Sequence, residues 1–174
     1  MKLRKKEQGF ILFTGLVLLL IMTLVVLYNI GASISQEKSS GGLQDKNIAF
    51  QNAETALRYA EDFLYSNNPS ANLFTTGCTN GLCIPSINAV QVWNSVNWET
   101  ETNKVIQLPA GTIPNSPMQP KFMVELLGPI PASEGESAKL NSTNMGGVAY
   151  RITAYATGNR IATVVQLQSV FIRK

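Results

Sequence analysis

The pattern of apolar and polar positions divides the chain into unlike stretches. From Phe10 to Tyr28 no residue is charged, and apolar character persists to Ile30. A helix over 10–30 rises roughly 31 Å, enough to cross a bilayer once. Residues Ser33 to Leu43 are polar and include Ser39, Ser40, Gly41 and Gly42. Each glycine costs about 1 kcal/mol relative to alanine in a helix, so a bend, frayed turn or melted stretch is expected there. The following run, LQDKNIAFQNAETALRYAEDFLY, is helical in pattern. Ala49, Ala53, Ala56, Leu57, Ala60 and Leu64 recur at helical spacing and form one apolar stripe. Gln51, Glu54, Arg58, Glu61 and Asp62 lie mostly off it, with Glu54 and Arg58 an i,i+4 pair. Ser66, Asn67, Asn68 and Pro69 mark its end.

Strand patterns dominate the C-terminal part. KFMVELL, within an expected strand over 118–127, alternates Phe122, Val124 and Leu126 against Lys121, Met123 and Glu125. VAYRITAYAT and IATVVQLQSVFIRK are β-rich runs separated by Gly158, Asn159 and Arg160, and predict an antiparallel hairpin. These runs give an antiparallel sheet of at least three strands whose apolar face needs a cover, which the stripe from Ala49 to Leu64 can supply. The class is α+β. Val90, Val92, Trp93, Val96 and Trp98 fit a short helix or a strand, with the tryptophans partly buried. Six of the eight prolines fall between Pro109 and Pro131, which reads as loops or edge strands. Gly146 and Gly147 read as a loop before a strand.

Charge changes the picture at one end only. The formal net charge is +3, and Lys2, Arg4, Lys5, Lys6 and Glu7 account for all of it; residues 10–174 carry ten basic and ten acidic residues. A neutral body lacks the broad basic face that duplex nucleic acid requires. The basic leader flanking the apolar run points to an N-terminus in the cytoplasm and a C-terminal part outside. Cys78 and Cys83, in GCTNGLC, then lie where oxidation is expected, and a structural disulfide follows; closing so short a loop contributes roughly 2 kcal/mol. A redox-active pair is more often spaced C-x-x-C.

Candidate chemistry is sparse. The chain has no histidine, the commonest general base and metal ligand. No nucleophile with a base, metal-ligand cluster, EF-hand spacing or phosphate loop is present. Glu99 with Glu101, and Glu134 with Glu136, are paired carboxylates in polar surroundings and read as solvated surface. No catalytic role, cofactor or metal is expected.

The N-terminal run admits three readings. A secretory signal has a shorter apolar region, although Gly31 and Ser33 offer a weak cleavage site. A plain signal anchor fits the length and the basic flank. The third rests on a local motif: a short charged leader that ends in Gly9 and meets unbroken apolar sequence at Phe10. This resembles the class III signal of type IV pilins and pseudopilins. The resemblance implies a leader over 1–9, cleavage between Gly9 and Phe10 by a prepilin peptidase, and methylation of the new amine on Phe10. Most such pilins carry a glutamate at the fifth mature position, where this chain has Thr14. A threonine hydroxyl can return its hydrogen bond to the carbonyl of Phe10 and offers no counter-charge. That departure fits a minor, tip-located subunit.

The segment LQDKNIAFQNAETALRYAE is similar to the one after the transmembrane helix in the type IV pilus assembly protein family PilX, through Asp45, Ala49, Phe50, Ala53, Glu54, Ala56, Leu57 and Arg58. The C-terminal YRITAYATGNRIATVVQLQSVFIRK also looks like that family's closing hairpin. The resemblance implies a pilin fold, divided into a leader (1–9), a transmembrane and filament-core helix (10–30), the extracytoplasmic half of that helix (31–66) and an α+β head (67–174). Small residues such as Gly15 and Gly31 would help the helices pack. It implies a minor pilin of the inner membrane and then the pilus, with minor and major pilins, a pilus-tip adhesin and the prepilin peptidase as partners. Its work would be to prime pilus assembly and support adhesion, twitching motility or DNA uptake. A minor pseudopilin of a type II secretion system and an unprocessed, signal-anchored periplasmic scaffold or binding protein are the alternatives.

Overall fold

The computed structural model describes residues 8–86, 90–131 and 145–174. Leader residues 1–7, Glu134 and Glu136 lie outside them. Contacts divide the chain into two compact units, Met1–Gln44 and Asp45–Lys174.

Helix α1, Gln8–Asn67, contributes to both. In the first unit it carries the apolar stretch Phe10–Tyr28, of mean hydropathy 3.0, whose side chains are all exposed. The interruption expected at residues 39–42 does not occur, because the helix assignment continues through Gly41 and Gly42. The chain's first proline is Pro69, so nothing within α1 removes a backbone donor, and propagation adds one hydrogen bond for each residue fixed. Two glycines weaken such a helix without ending it. The end comes where the pattern placed it: Asn67 donates its Nδ2 to the Phe63 carbonyl at 3.1 Å, Asn68 turns to φ 42°, and Pro69 follows.

The second unit is built on strand β3, Lys121–Pro131. It pairs antiparallel with β4, Met145–Thr157, which pairs antiparallel with β5, Val164–Arg173. On its other side β3 meets two short strands, β1, Leu82–Cys83, and β2, Ile106–Gln107. The register sets Leu82 against Val124 and Ile106 against Phe122. Because β1 is parallel, the five-stranded sheet is mixed rather than antiparallel throughout. β3 starts three residues later and ends four later than the expected 118–127 strand, and includes Pro129 and Pro131. There β3 pairs only with β4, so a proline on the other side removes no ladder bond. Gly146 and Gly147 belong to β4 rather than to a loop, next to a shift in its register with β3. Val92–Ser95 forms a single helical turn, α2.

Strand alternation gives the central strands β3 and β4 two buried faces. On one, Phe122 and Val124 of β3 and Tyr150, Ile152 and Ala154 of β4 meet Ala56, Ala60 and Leu64 of α1. Phe122 lies 6.0 Å, centroid to centroid, from both Tyr59 and Phe63. Side chains of this kind each contribute about 1.5–3 kcal/mol when fully buried. On the other face, Met123 and Tyr155 meet Cys78, Cys83, Val92, Val96, Trp98 and Val105. Trp98 stacks on Tyr155 at 5.3 Å and 3°, and its indole N–H donates to the Trp93 carbonyl at 3.1 Å. The unit therefore has three layers, in the order helix, sheet and disulfide-bearing segment.

Two polar contacts fasten the helix to the β4–β5 turn. Asn52 donates from Nδ2 to the Thr157 carbonyl at 2.9 Å, and the Asn159 N–H donates to Asp45 Oδ1 at 2.6 Å. Gly158 lies between them, and a Cβ there would stand 2.5 Å from Asp45 Oδ1 and 2.6 Å from the Asp45 carbonyl oxygen. Gly158→Ala is therefore expected to destabilise the head by about 1–3 kcal/mol in denaturant unfolding followed by tryptophan fluorescence. Gly41→Ala, where a Cβ meets nothing within 4 Å, should cost nothing in the same assay.

Candidate functional site

The first candidate surface is the charge-free stretch of α1. Thr14 donates its hydroxyl to the carbonyls of Phe10 and Ile11, both at 3.0 Å, and Thr23 does so to Leu20 at 2.8 Å. Both polar side chains are thus satisfied on the helix's own backbone, so apolar surroundings cost them little. A Cβ added at Gly15 would meet nothing, which leaves a notch in the helix surface. An apolar surface of this size, exposed on every side, is compatible with a single-pass membrane anchor. Gly9 and Phe10 are both helical, and Phe10 is exposed.

The eight motif positions from Asp45 to Arg58 do different work. Ala49, Ala53 and Ala56 are fully buried and Leu57 is partly buried against the sheet. Glu54 and Arg58 form a surface ion pair at 2.8 Å, worth at most a few tenths of a kcal/mol. Phe50 is 48% exposed, an aromatic ring left outside the core. Asp45 is the one that pattern reading left without a role, and it is buried against the β4–β5 turn. The Thr163 hydroxyl above all, then the N–H groups of Asn159 and Arg160 and the Arg160 guanidinium, hold its carboxyl below the ordinary range against the opposing effect of desolvation.

The second face of the sheet holds the polar groups that alternation set opposite Phe122, Val124 and Leu126. Lys121 is buried and donates from Nζ to the Trp98 carbonyl at 2.6 Å and the Glu99 carbonyl at 3.3 Å. Burial pushes its pKa down. Glu125 is fully buried, with Arg151 at 3.4 Å, and its second oxygen has no hydrogen-bond partner among the described residues. Burial raises its pKa, and Arg151 works in the opposite direction. Cys78 and Cys83 are joined by a disulfide and both belong to the core of this face. Glu99 and Glu101 are not brought together as a reacting pair: Glu101 accepts from Lys104 Nζ at 2.6 Å and from the Asn97 N–H at 2.8 Å. Among the described residues no group of acidic, histidine or cysteine side chains could hold a metal ion.

Asp45 and Glu125 give opposite pH dependences. The folded pKa of Asp45 lies below its ordinary 3.8, so its stabilisation is complete above that value and is lost as the pH falls through the folded one. The folded pKa of Glu125 lies above its ordinary 4.5, so the corresponding stability is complete below 4.5 and is lost as the pH rises through the folded one. In denaturant unfolding, Asp45→Asn should be less stable than the parent at about pH 6, with the gap narrowing towards about pH 3. Glu125→Gln should match the parent at about pH 3 and gain on it as the pH rises.

Comparison with known families agrees with this arrangement at both ends of the chain. The family model described as PilX N-terminal matches residues 8–58, which take in the apolar stretch and the alanine stripe. The model described as type IV pilus assembly protein PilX C-term matches residues 45–173, the whole of the three-layer unit. Neither a search of curated proteins nor a search of solved structures returns a match. The two family matches overlap on the helix from Asp45 to Arg58 and together run from residue 8 to residue 173, and the chain belongs to the PilX family of type IV pilus assembly proteins.

Proposed function

We propose that this chain is a minor pilin that primes pilus assembly from a tip complex, after a prepilin peptidase has cut between Gly9 and Phe10 and Phe10 has been methylated. The observation that carries this reading is the charge-free, fully exposed helix Phe10–Tyr28, which begins directly after Gly9 in a helix whose later part covers the sheet. In this reading residues 1–9 are a leader and 10–30 hold the protein in the inner membrane, with the N-terminus cytoplasmic and the head periplasmic. The same helix then moves sideways into a filament, where apolar contact and small residues such as Gly15 and Gly31 replace lipid contacts. Thr14 carries no charge to meet the amine of a subunit ahead, which suits a position with no such subunit. The head selects its neighbours, which are other minor pilins, the major pilin and a tip adhesin, and pilus-dependent adhesion, twitching motility or DNA uptake follows. PilX proteins are structural assembly components, a family not known for enzymes.

The deciding measurement is the N-terminus and intact mass of protein purified from membranes with and without prepilin peptidase. The expected product starts at Phe10, carries one methyl group, and forms only with the peptidase. Product that still starts at Met1, or that starts near Ala32, would replace this reading with an anchored or a secreted domain. A processed protein whose loss stops exoprotein secretion and spares pili would be a pseudopilin.

A further inference from the structure

At β3 and β4 the sheet is covered on both faces, but among the described residues β5 has an open outer edge, and Val170 and Ile172 on its face away from α1 are exposed. β5 is terminal in the strand order, and no strand pairs with its outer edge among the described residues. Natural sheets blunt such edges with short strands, prolines, charges or bulges. β5 has none of these over most of its length. It runs for ten residues, VVQLQSVFIR, with no proline, no charge before Arg173, and unbroken register from Thr157↔Val164 to Val148↔Arg173. On the other side of the sheet the corresponding edge of β3 is occupied by β1 and β2.

Beside β5, on the face where Leu167, Ser169 and Phe171 point toward α1, lies an open groove of about 560 Å³. Phe171 forms part of its wall, and Arg58, Tyr59, Glu61, Asp62 and Tyr65 of α1 supply most of the rest. A strand added about 4.8 Å outside β5 would direct every second side chain into that groove. The charge there is unbalanced. Arg58 is drawn to Glu54 at 2.8 Å, Glu61 meets only the Ser169 hydroxyl at 3.4 Å, and Asp62 has no partner among the described residues. Tyr59 and Tyr65 are 40% and 74% exposed, so their rings are accessible to a cation in the groove.

We propose that the β5 edge captures an extended segment of another protein as a sixth strand, with a lysine or arginine side chain of that segment seated in the groove against Asp62 and Glu61. Main-chain hydrogen bonds hold the segment and the groove selects the basic residue. A second copy of this chain fits less well. Pairing β5 with β5 about a two-fold axis would run the partner's residues 45–67 antiparallel to these, whereas copies entering one membrane by the same end run in a common direction. Strand capture does not depend on leader processing, so it and the proposed function fail separately.

The test uses the full chain in detergent micelles, with its disulfide intact. The probe is a capped seven-residue peptide of alternating threonine and valine, with lysine at its central inward position. Saturable binding is expected, with slowed hydrogen exchange at those β5 amides that do not bond to β4. N-methylation of the peptide's edge-facing amides should abolish both effects. Asp62→Lys, an exposed change that should leave the tryptophan fluorescence of the head unaltered, should weaken the lysine peptide about tenfold and favour its glutamate counterpart. Four results would overturn the proposal: no saturable binding up to millimolar peptide, binding indifferent to N-methylation, indifference of Asp62→Lys to the peptide's charge, or β5 amides already protected in a concentration-dependent dimer.

Discussion

The alanine stripe of α1 is the constraint on which the head depends. Ala49, Ala53, Ala56 and Ala60 have no exposed surface, and each presents a single methyl group to its surroundings. Small residues let the helix backbone come close to its neighbours, and only from there can Asn52 reach the Thr157 carbonyl and Asp45 reach the Asn159 N–H. Larger side chains in the stripe would lift the helix, and both polar contacts would be lost with the packing. Gly158 obeys the same rule from the sheet side, since its missing Cβ is the space that Asp45 occupies. Packing and polar contacts are thus one arrangement, in which each sets the distance the other needs.

The opposite face of the sheet is closed on different terms. No long helix covers it; a segment rich in turns does, held by the Cys78–Cys83 bridge and by the Trp98–Tyr155 stack. Such a segment leaves backbone carbonyls without ladder partners, and Lys121 supplies donors to two of them, at Trp98 and Glu99. Burial pushes its pKa down, and the nearby Glu99 charge works in the opposite direction. Glu125 is the less comfortable member, with one oxygen facing Arg151 and the other unpartnered among the described residues. A buried pair of this quality adds little net stability, because the desolvation of Glu125 outweighs what Arg151 returns.

The outline of the fold was legible in sequence because its signals are periodic. The stripe from Ala49 to Leu64, the stop at Asn67 and the hairpin of β4 and β5 all follow from spacing and turn residues. What escaped were features set by long-range contact. Alternation in KFMVELL put Lys121, Met123 and Glu125 on one face correctly, but could not say that a segment some twenty to forty residues earlier would bury that face. Glycine propensity at Gly41 and Gly42 argued for a break, and cooperativity within a long helix overrode it. The motif marked Asp45, while its use became visible only once Asn159, far along the chain, was placed beside it.

A helix without charge and a head with polar fasteners place different demands on one chain. In the apolar stretch every polar atom has to be satisfied locally, and Thr14 and Thr23 do this by bonding to carbonyls within one turn. Nothing on that surface prefers one apolar neighbour to another, so on the proposed reading it suits both lipid and the core of a filament. Specificity must then reside in the head, where the groups not used by the fold include Phe50 on the helix surface, Asp62 in the groove, and the outer edge of β5. All of these lie outside the two buried clusters, so a partner can engage them without disturbing the packing that holds α1 to the sheet.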